Sequence, residues 1–197
     1  MRKGEATRQE IIRRVAPIFN QQGFAGSSLT DMMQATGLRK GGIYNHFGSK
    51  EQLAIEAFDY AADLMRQRWE RAVDGIETAQ RQLEALIEDF SRMYSHPEVE
   101  GGCPLLNIAV ESDDANPPLR DRVRRAFSYW RGWIADIVRW GQQQGEIGKN
   151  ADAEGIATII ISTLEGALML SQLYEDPVPL QEAAAHLTQY VRQNLSA

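Results

Sequence analysis

Apolar side chains recur along this chain at three- and four-residue intervals, and no run of strict apolar–polar alternation marks a strand. The pattern predicts an all-α protein of about nine helices. Three capping-box spacings fall near its start, Thr7…Glu10, Ser28…Asp31 and Ser49…Gln52. In each, a hydroxyl and an acid or amide three residues later can satisfy orphan N–H groups at a helix start. A first helix over 10–22 places Ile11, Val15, Ala16 and Phe19 on one face, and Gly23 stops it. A second runs from Ser28 to Thr36, Gly37 turns the chain, and a short third reaches Phe47. Gly48-Ser49 then opens a long fourth helix carrying Ala54, Ala57, Phe58, Ala61, Met65 and Trp69 on one side.

Five more helical patterns follow. Leu83, Leu86, Ile87, Phe90 and Tyr94 share a face that stops before Pro97, and a short helix starts at Cys103-Pro104. Asn116-Pro117 starts a long one bearing Val123, Phe127, Trp130, Ile134 and Ile137, ended by Gly145. The stretch 152–175 is apolar around most of its circumference, which predicts burial on more than one side. The last helix shows a near-heptad stripe of Leu180, Ala184, Leu187, Val191 and Leu195.

Charge divides the chain. Residues 1–50 hold eight Lys/Arg (Arg2, Lys3, Arg8, Arg13, Arg14, Arg39, Lys40, Lys50) against Glu5, Glu10 and Asp31, a surplus of five. The remainder is strongly acidic, and the whole chain carries a net charge of -6. A basic head on an acidic body suits a module that faces phosphates. The single cysteine, Cys103, excludes an internal disulfide framework and fits a reducing compartment. The start MRKGEATRQE has no apolar run of a secretory signal, and Glu165 interrupts the longest apolar stretch, so a cytoplasmic protein without a membrane span is expected.

The basic head has the layout of a helix-turn-helix: a helix of about eight residues, a glycine turn and a second short helix. In the second element, Arg39 and Lys40 stand at the end that enters a major groove, within reach of base edges or phosphates. Tyr44 and His46 are candidate phosphate donors, and Lys50 lies in the first turn of the next helix, where backbone N–H groups favour an anion.

The stretch 7–57 resembles the N-terminal domain of the TetR family. Phe19, Gly23, Phe24, Ser28, Asp31, Gly37, Leu38, Lys40, Gly41, Tyr44, His46, Phe47, Ser49, Lys50 and Glu51 match its pattern in order and spacing. Two residues depart from it. Arg39 replaces the usual Ser or Thr, which leaves the recognition helix without a side-chain cap. Gly42 stands where a side chain often contacts DNA. The resemblance therefore implies a DNA-binding set of Thr30, Arg39, Lys40, Gly41, Gly42, Tyr44, Asn45, His46 and Lys50, with specificity resting on Thr30, Arg39 and Asn45.

It also implies two domains: a DNA-binding one over 1–50, continuing into the fourth helix to about 61, and a ligand-binding and dimerisation domain over 51–197. Met65, Trp69, Phe90, Met93, Tyr94, Cys103, Asn107, Phe127 and Trp130 are the expected ligand-binding residues, with Asn107 and Glu111 as polar anchors. The last two helices are expected to form a four-helix dimer interface through Ile160, Leu164, Leu168, Leu187 and Val191. The function implied is a dimeric regulator on a palindromic duplex operator, a repressor released by a small molecule or a reactive electrophile. Cys103, at a helix entry, is a candidate electrophile sensor.

An enzyme is not expected. His46, His96 and His186 lie far apart at no metal-ligand spacing, no glycine-rich phosphate loop is present, and Asp113-Asp114 and Glu98…Glu100 read as solvated loop charge. No cofactor or metal is expected. A ligand-binding protein without DNA binding is the other alternative, and the intact basic head argues against it.

Overall fold

In a computed structural model, residues 3–112 and 116–195 are described, and among them the fold is all helix. The pair Asp113-Asp114 lies outside the described residues. The helices are α1 (Lys3–Gly26), α2 (Leu29–Thr36), α3 (Lys40–Tyr44), α4 (Lys50–Val73), α5 (Ala79–Ser91), α6 (Pro104–Ser112), α7 (Pro117–Gln144), α8 (Ala153–Tyr174) and α9 (Val178–Asn194).

Most ends fall where the local chemistry places them. Asn116 accepts the Leu119 N–H at 3.2 Å and caps α7, as a side-chain oxygen at a helix start should. One start differs from the expectation. α1 begins at Lys3, so Thr7 sits inside it, and Glu10 instead receives bonds from Arg13 and Arg14 at 2.5–2.9 Å. Those two guanidinium groups hold the Glu10 carboxyl down at about 2. A spacing of hydroxyl and acid marks a helix start only where no earlier residues continue the helix.

Contacts divide the described residues differently from the sequence boundary expected near 50–61. One compact unit takes the residues up to Met65 together with Glu98–Ala126, and the second takes Arg66–Pro97 with the residues from Phe127 onward. The first is centred on Ile11, Val15, Phe19, Met32, Ile43, Phe47, Leu53 and Val99, each nearly or wholly buried.

In the second, α5, α8 and α9 pack against one another. Its core includes Leu83 and Ile87 of α5, Ile160, Leu164 and Leu168 of α8, and Leu187 and Val191 of α9, all at most 2% exposed. The five residues expected at a dimer interface are therefore interior residues of a single chain. α8 is apolar around most of its circumference, so periodicity alone does not tell its inward side from its outward one. Its exposed apolar residues are Ile159, Met169, Leu170 and Leu173 on the opposite side of the helix, and Tyr174 at its last residue. α8 is also long and apolar enough to cross a membrane (mean hydropathy 1.6), but half of that window is buried inside the protein, as in a core helix.

Buried charge ties this unit together. Glu84, 7% exposed, receives Arg192 of α9 at 2.8 and 3.1 Å and also pairs with Arg81. Bonding from Arg192 keeps the Glu84 carboxyl below its ordinary value. Arg68 of α4 donates to the Asp89 carboxylate and carbonyl and to the His96 carbonyl at 2.6–2.9 Å.

Candidate nucleic-acid interface

The α2–α3 pair is built by local rules. Ser28 caps α2 with a complete box: its hydroxyl accepts the Asp31 N–H at 3.1 Å, and the Asp31 carboxylate accepts the Ser28 N–H at 3.1 Å. The Ser28 hydroxyl, at 2.6 Å from that carboxylate, holds the Asp31 carboxyl below its ordinary value. Gly37 ends α2 at φ 70, a left-handed conformation a side chain would strain, and returns its N–H to Met33. α3 follows over only five residues. Its N-cap, Arg39, makes no side-chain cap bond, as its residue type predicts.

So short a helix has no core of its own and is held from outside. Ile43 and Phe47 are buried beneath it. Arg8 of α1 lies 4.4 Å over the Phe47 ring, donates to the His46 carbonyl and pairs with Glu56 of α4. Arg14 of α1 donates to the Ala35 carbonyl at the end of α2 at 3.1 Å. Gly42 packs on Leu38: a Cβ there would come within 3.3 Å of the Leu38 Cβ, so a side chain would crowd the turn.

The outward residues are Thr30, Arg39, Lys40, Gly41 and Asn45, all exposed, with Tyr44 and His46 set beside them. Tyr44 is half-buried. The Lys40 ammonium lies 6.0 Å from the Tyr44 ring centre one turn later, within cation–π reach. Gly41 has open space where a Cβ would stand. Backbone and cation are thus presented together at the start of α3.

Lys50 does something else. Its ammonium donates to the carbonyls of Phe24 (2.5 Å) and Ser27 (2.6 Å) and lies 4.6 Å from the Phe24 ring. It closes the turn between α1 and α2 from the first turn of α4, a role that charge counting could not separate from phosphate binding.

The expected ligand-binding residues fall in both units. Trp69, Phe90, Phe127 and Trp130 form a ring cluster in the second, where Trp69 and Trp130 stack at 4.4 Å and 11° and Phe90 stacks on Trp130 at 5.6 Å. Met93 is buried in the same unit, which also holds Tyr94. Met65, Cys103 and Asn107 belong to the first unit, with Met65 and Cys103 wholly buried. The two expected polar anchors face α1: Asn107 donates to Asn20 and to the Gly101 carbonyl, and Glu111 accepts from the N–H groups of Phe24 and Ala25. Neither was legible as a backbone partner, because the groups they bond in α1 lie more than eighty residues away.

Two sequence families account for most of the chain. Residues 11–57 match "Bacterial regulatory proteins, tetR family", and residues 79–187 match "Tetracyclin repressor-like, C-terminal domain". The chain belongs to the TetR family. A TetR transcriptional regulator from Chloroflexus aurantiacus is 45% identical in sequence and superposes over 100% of this chain and 99% of its own with a TM-score of 0.96. A TetR-family regulator from Cytophaga hutchinsonii is 32% identical, covering 100% and 98%, at 0.92. Among curated relatives, the HTH-type transcriptional regulator LmrA of Bacillus subtilis is 27% identical over 88% of this chain and 90% of its own. The HTH-type transcriptional repressor DhaR of a Mycobacterium species is 24% identical over 89% and 87%. This TetR-family chain is therefore a transcriptional regulator with a DNA-binding helix-turn-helix.

The capping box makes a direct prediction. Ser28→Ala should lower stability by about 1 kcal/mol, as removal of a helix N-cap commonly does. Urea denaturation followed through α-helical circular dichroism checks it, and an unchanged midpoint would place the start of α2 under other control.

Proposed function

We propose that this TetR-family regulator is a cytoplasmic homodimer that represses transcription by holding a palindromic duplex operator, and that a small molecule releases it. The observation that carries the reading is the exposed, cationic start of α3, where Arg39, Lys40 and the open backbone of Gly41 stand together. Arg39, with Thr30 and Asn45 beside it, reads base edges, while Lys40, Tyr44 and His46 hold phosphates. Repression is supported by the relative described as a repressor. Taking away one phosphate-binding cation should reduce the salt slope of binding by about 1. Lys40→Ala should do so, whereas Lys50→Ala should weaken binding with its slope intact, because Lys50 holds the turn and not a phosphate. Fluorescence anisotropy on a duplex across a salt series decides the matter, and equal slopes for wild type and Lys40→Ala would remove Lys40 from the DNA-binding set.

A second copy of this chain is the partner we assign to the outer face of α8. Ile159, Leu170 and Leu173 recur there at helical spacing with Met169 on the same side, and Leu173 is 70% exposed. An apolar row of this kind is what an isologous helix interface buries. A charge placed in it costs several kcal/mol per buried carboxylate on association. Leu173→Glu should give a folded monomer by sedimentation, whereas Leu187→Glu should lose helicity because Leu187 is core. A Leu173→Glu protein that stays dimeric at micromolar concentration would move the interface elsewhere.

For the effector, we assign the ring cluster of the second unit as the site of a planar apolar molecule, which must part rings that stack at 4.4–5.6 Å in this structure. The Trp69 indole N–H is buried there without an acceptor, a deficit costing about 1–3 kcal/mol that a ligand carbonyl would relieve. Cys103, wholly buried, favours this reading over attack by an electrophile, since reactive thiols are partly exposed. Compounds that release the duplex should quench tryptophan emission, and Trp130→Phe should blunt both effects. Release without any change in emission would place the effector outside the cluster.

A further inference from the structure

α6 repairs a break in α1. At Gly23 the backbone leaves the helix (φ 73, ψ 175), so the hydrogen bond an unbroken α1 would form from Phe24 N–H to Asn20 C=O spans a non-helical residue. Two side chains of α6, one turn apart, take up those groups. Asn107 donates to the Asn20 carbonyl at 3.1 Å, and Glu111 accepts the Phe24 N–H at 2.6 Å. The second Glu111 oxygen accepts the Ala25 N–H at 2.7 Å, so the carboxylate lies against two successive peptide donors. Gly23 makes room for it, since a Cβ there would stand 2.7 Å from the carboxylate.

The other side of the same turn is held by α4. Lys50 takes the carbonyls of Phe24 and Ser27, so the Phe24 residue is gripped at its N–H from α6 and at its carbonyl from α4. Ser28, the cap of α2, follows at once. α2 and α3 fully bury only Met32 and Ile43 between them, so their angle to α1 depends on this turn together with the bonds from Arg8 and Arg14.

We infer that Glu111, which lies outside the helix-turn-helix, is a positioning residue for DNA binding: its carboxylate fixes the turn from which α2 and α3 leave α1. This rests on the DNA-binding reading of α3. Charge-assisted bonds to backbone N–H groups are the strong kind, and an amide at this position can accept with only one of its two polar atoms. Base readout needs side chains placed to within hydrogen-bond tolerance, whereas phosphate attraction is far less sensitive to orientation. Removing the Glu111 carboxylate therefore lowers specific affinity and leaves non-specific affinity and its salt slope in place.

The test uses the full-length protein, a duplex that the wild type selects from a random-sequence pool, and poly(dI-dC) as non-specific DNA. Glu111→Gln should bind the selected duplex about tenfold more weakly, equivalent to ~1.4 kcal/mol, with poly(dI-dC) affinity within about twofold. Amide hydrogen exchange over 24–38 in the free protein should quicken. Affinity for the selected duplex within about twofold of wild type would overturn the inference, as would a parallel weakening on both DNAs. Should the wild type select no duplex, the DNA-binding reading itself fails, and unchanged exchange in Glu111→Gln then overturns the role of the carboxylate. Gly23→Ala crowds the same carboxylate and also strains a backbone held at φ 73, so only part of its effect on exchange depends on Glu111. That part must disappear in a Glu111→Ala background, and fully additive effects would count against the inference.

Discussion

The DNA-binding head depends on positive side chains bonded to backbone carbonyls. Helices of eight and five residues cannot bury enough surface to hold their own orientation, and isolated helices of that length are unstable in water. Their stability is imported. Arg8 fixes the end of α3, Arg14 the end of α2, and Lys50 the turn before α2, each by donating to carbonyls at the ends of short helices or in the turn. A guanidinium or ammonium suits the task because it supplies several donors from one long side chain, and a charge-assisted bond is about twice as strong as a neutral one.

That use of cations changes what the sequence's charge pattern means. The surplus over residues 1–50 is real, and it led correctly to a DNA-binding head. Yet Arg8, Arg14 and Lys50 are engaged within the fold, and Glu10 receives Arg13 and Arg14. A charge count cannot distinguish a cation aimed at a phosphate from one aimed at a carbonyl, since both ligands are oxygen acceptors. What was legible was local. The Ser28 box, the Gly37 turn and the uncapped Arg39 each follow from a residue type and its immediate neighbours. Lys50, Asn107 and Glu111 were not legible in the same way, because their partners are set by tertiary contacts across tens of residues.

The same limit applied to α8. Its hydrophobic content correctly marked a helix with two apolar sides, but a chain read alone gives no reason to prefer one side for the interior. The packed structure breaks that symmetry: Ile160, Leu164 and Leu168 are buried where α8 packs with α5 and α9, while Ile159, Leu170 and Leu173 stay outside. Fully burying a Leu or Ile is worth roughly 1.5–3 kcal/mol, so an outward row of this kind is a sizeable unsatisfied driving force. In the proposed dimer a second copy covers this row.

The head also shows how an acidic protein can engage a polyanion. With a net charge of -6, attraction at long range is weak or repulsive, and a Debye length of about 8 Å at physiological salt confines what remains to the nearest groups. Binding must then come from a small area where cations and backbone meet the phosphates directly. The start of α3 offers such an area, with Arg39 and Lys40 exposed and Gly41 unobstructed. A surface with few cations makes affinity depend on how well those few are placed. On the proposed reading, placement depends on the turn at Phe24 together with the Arg8 and Arg14 bonds, so the bonds that hold the head matter more than its total charge.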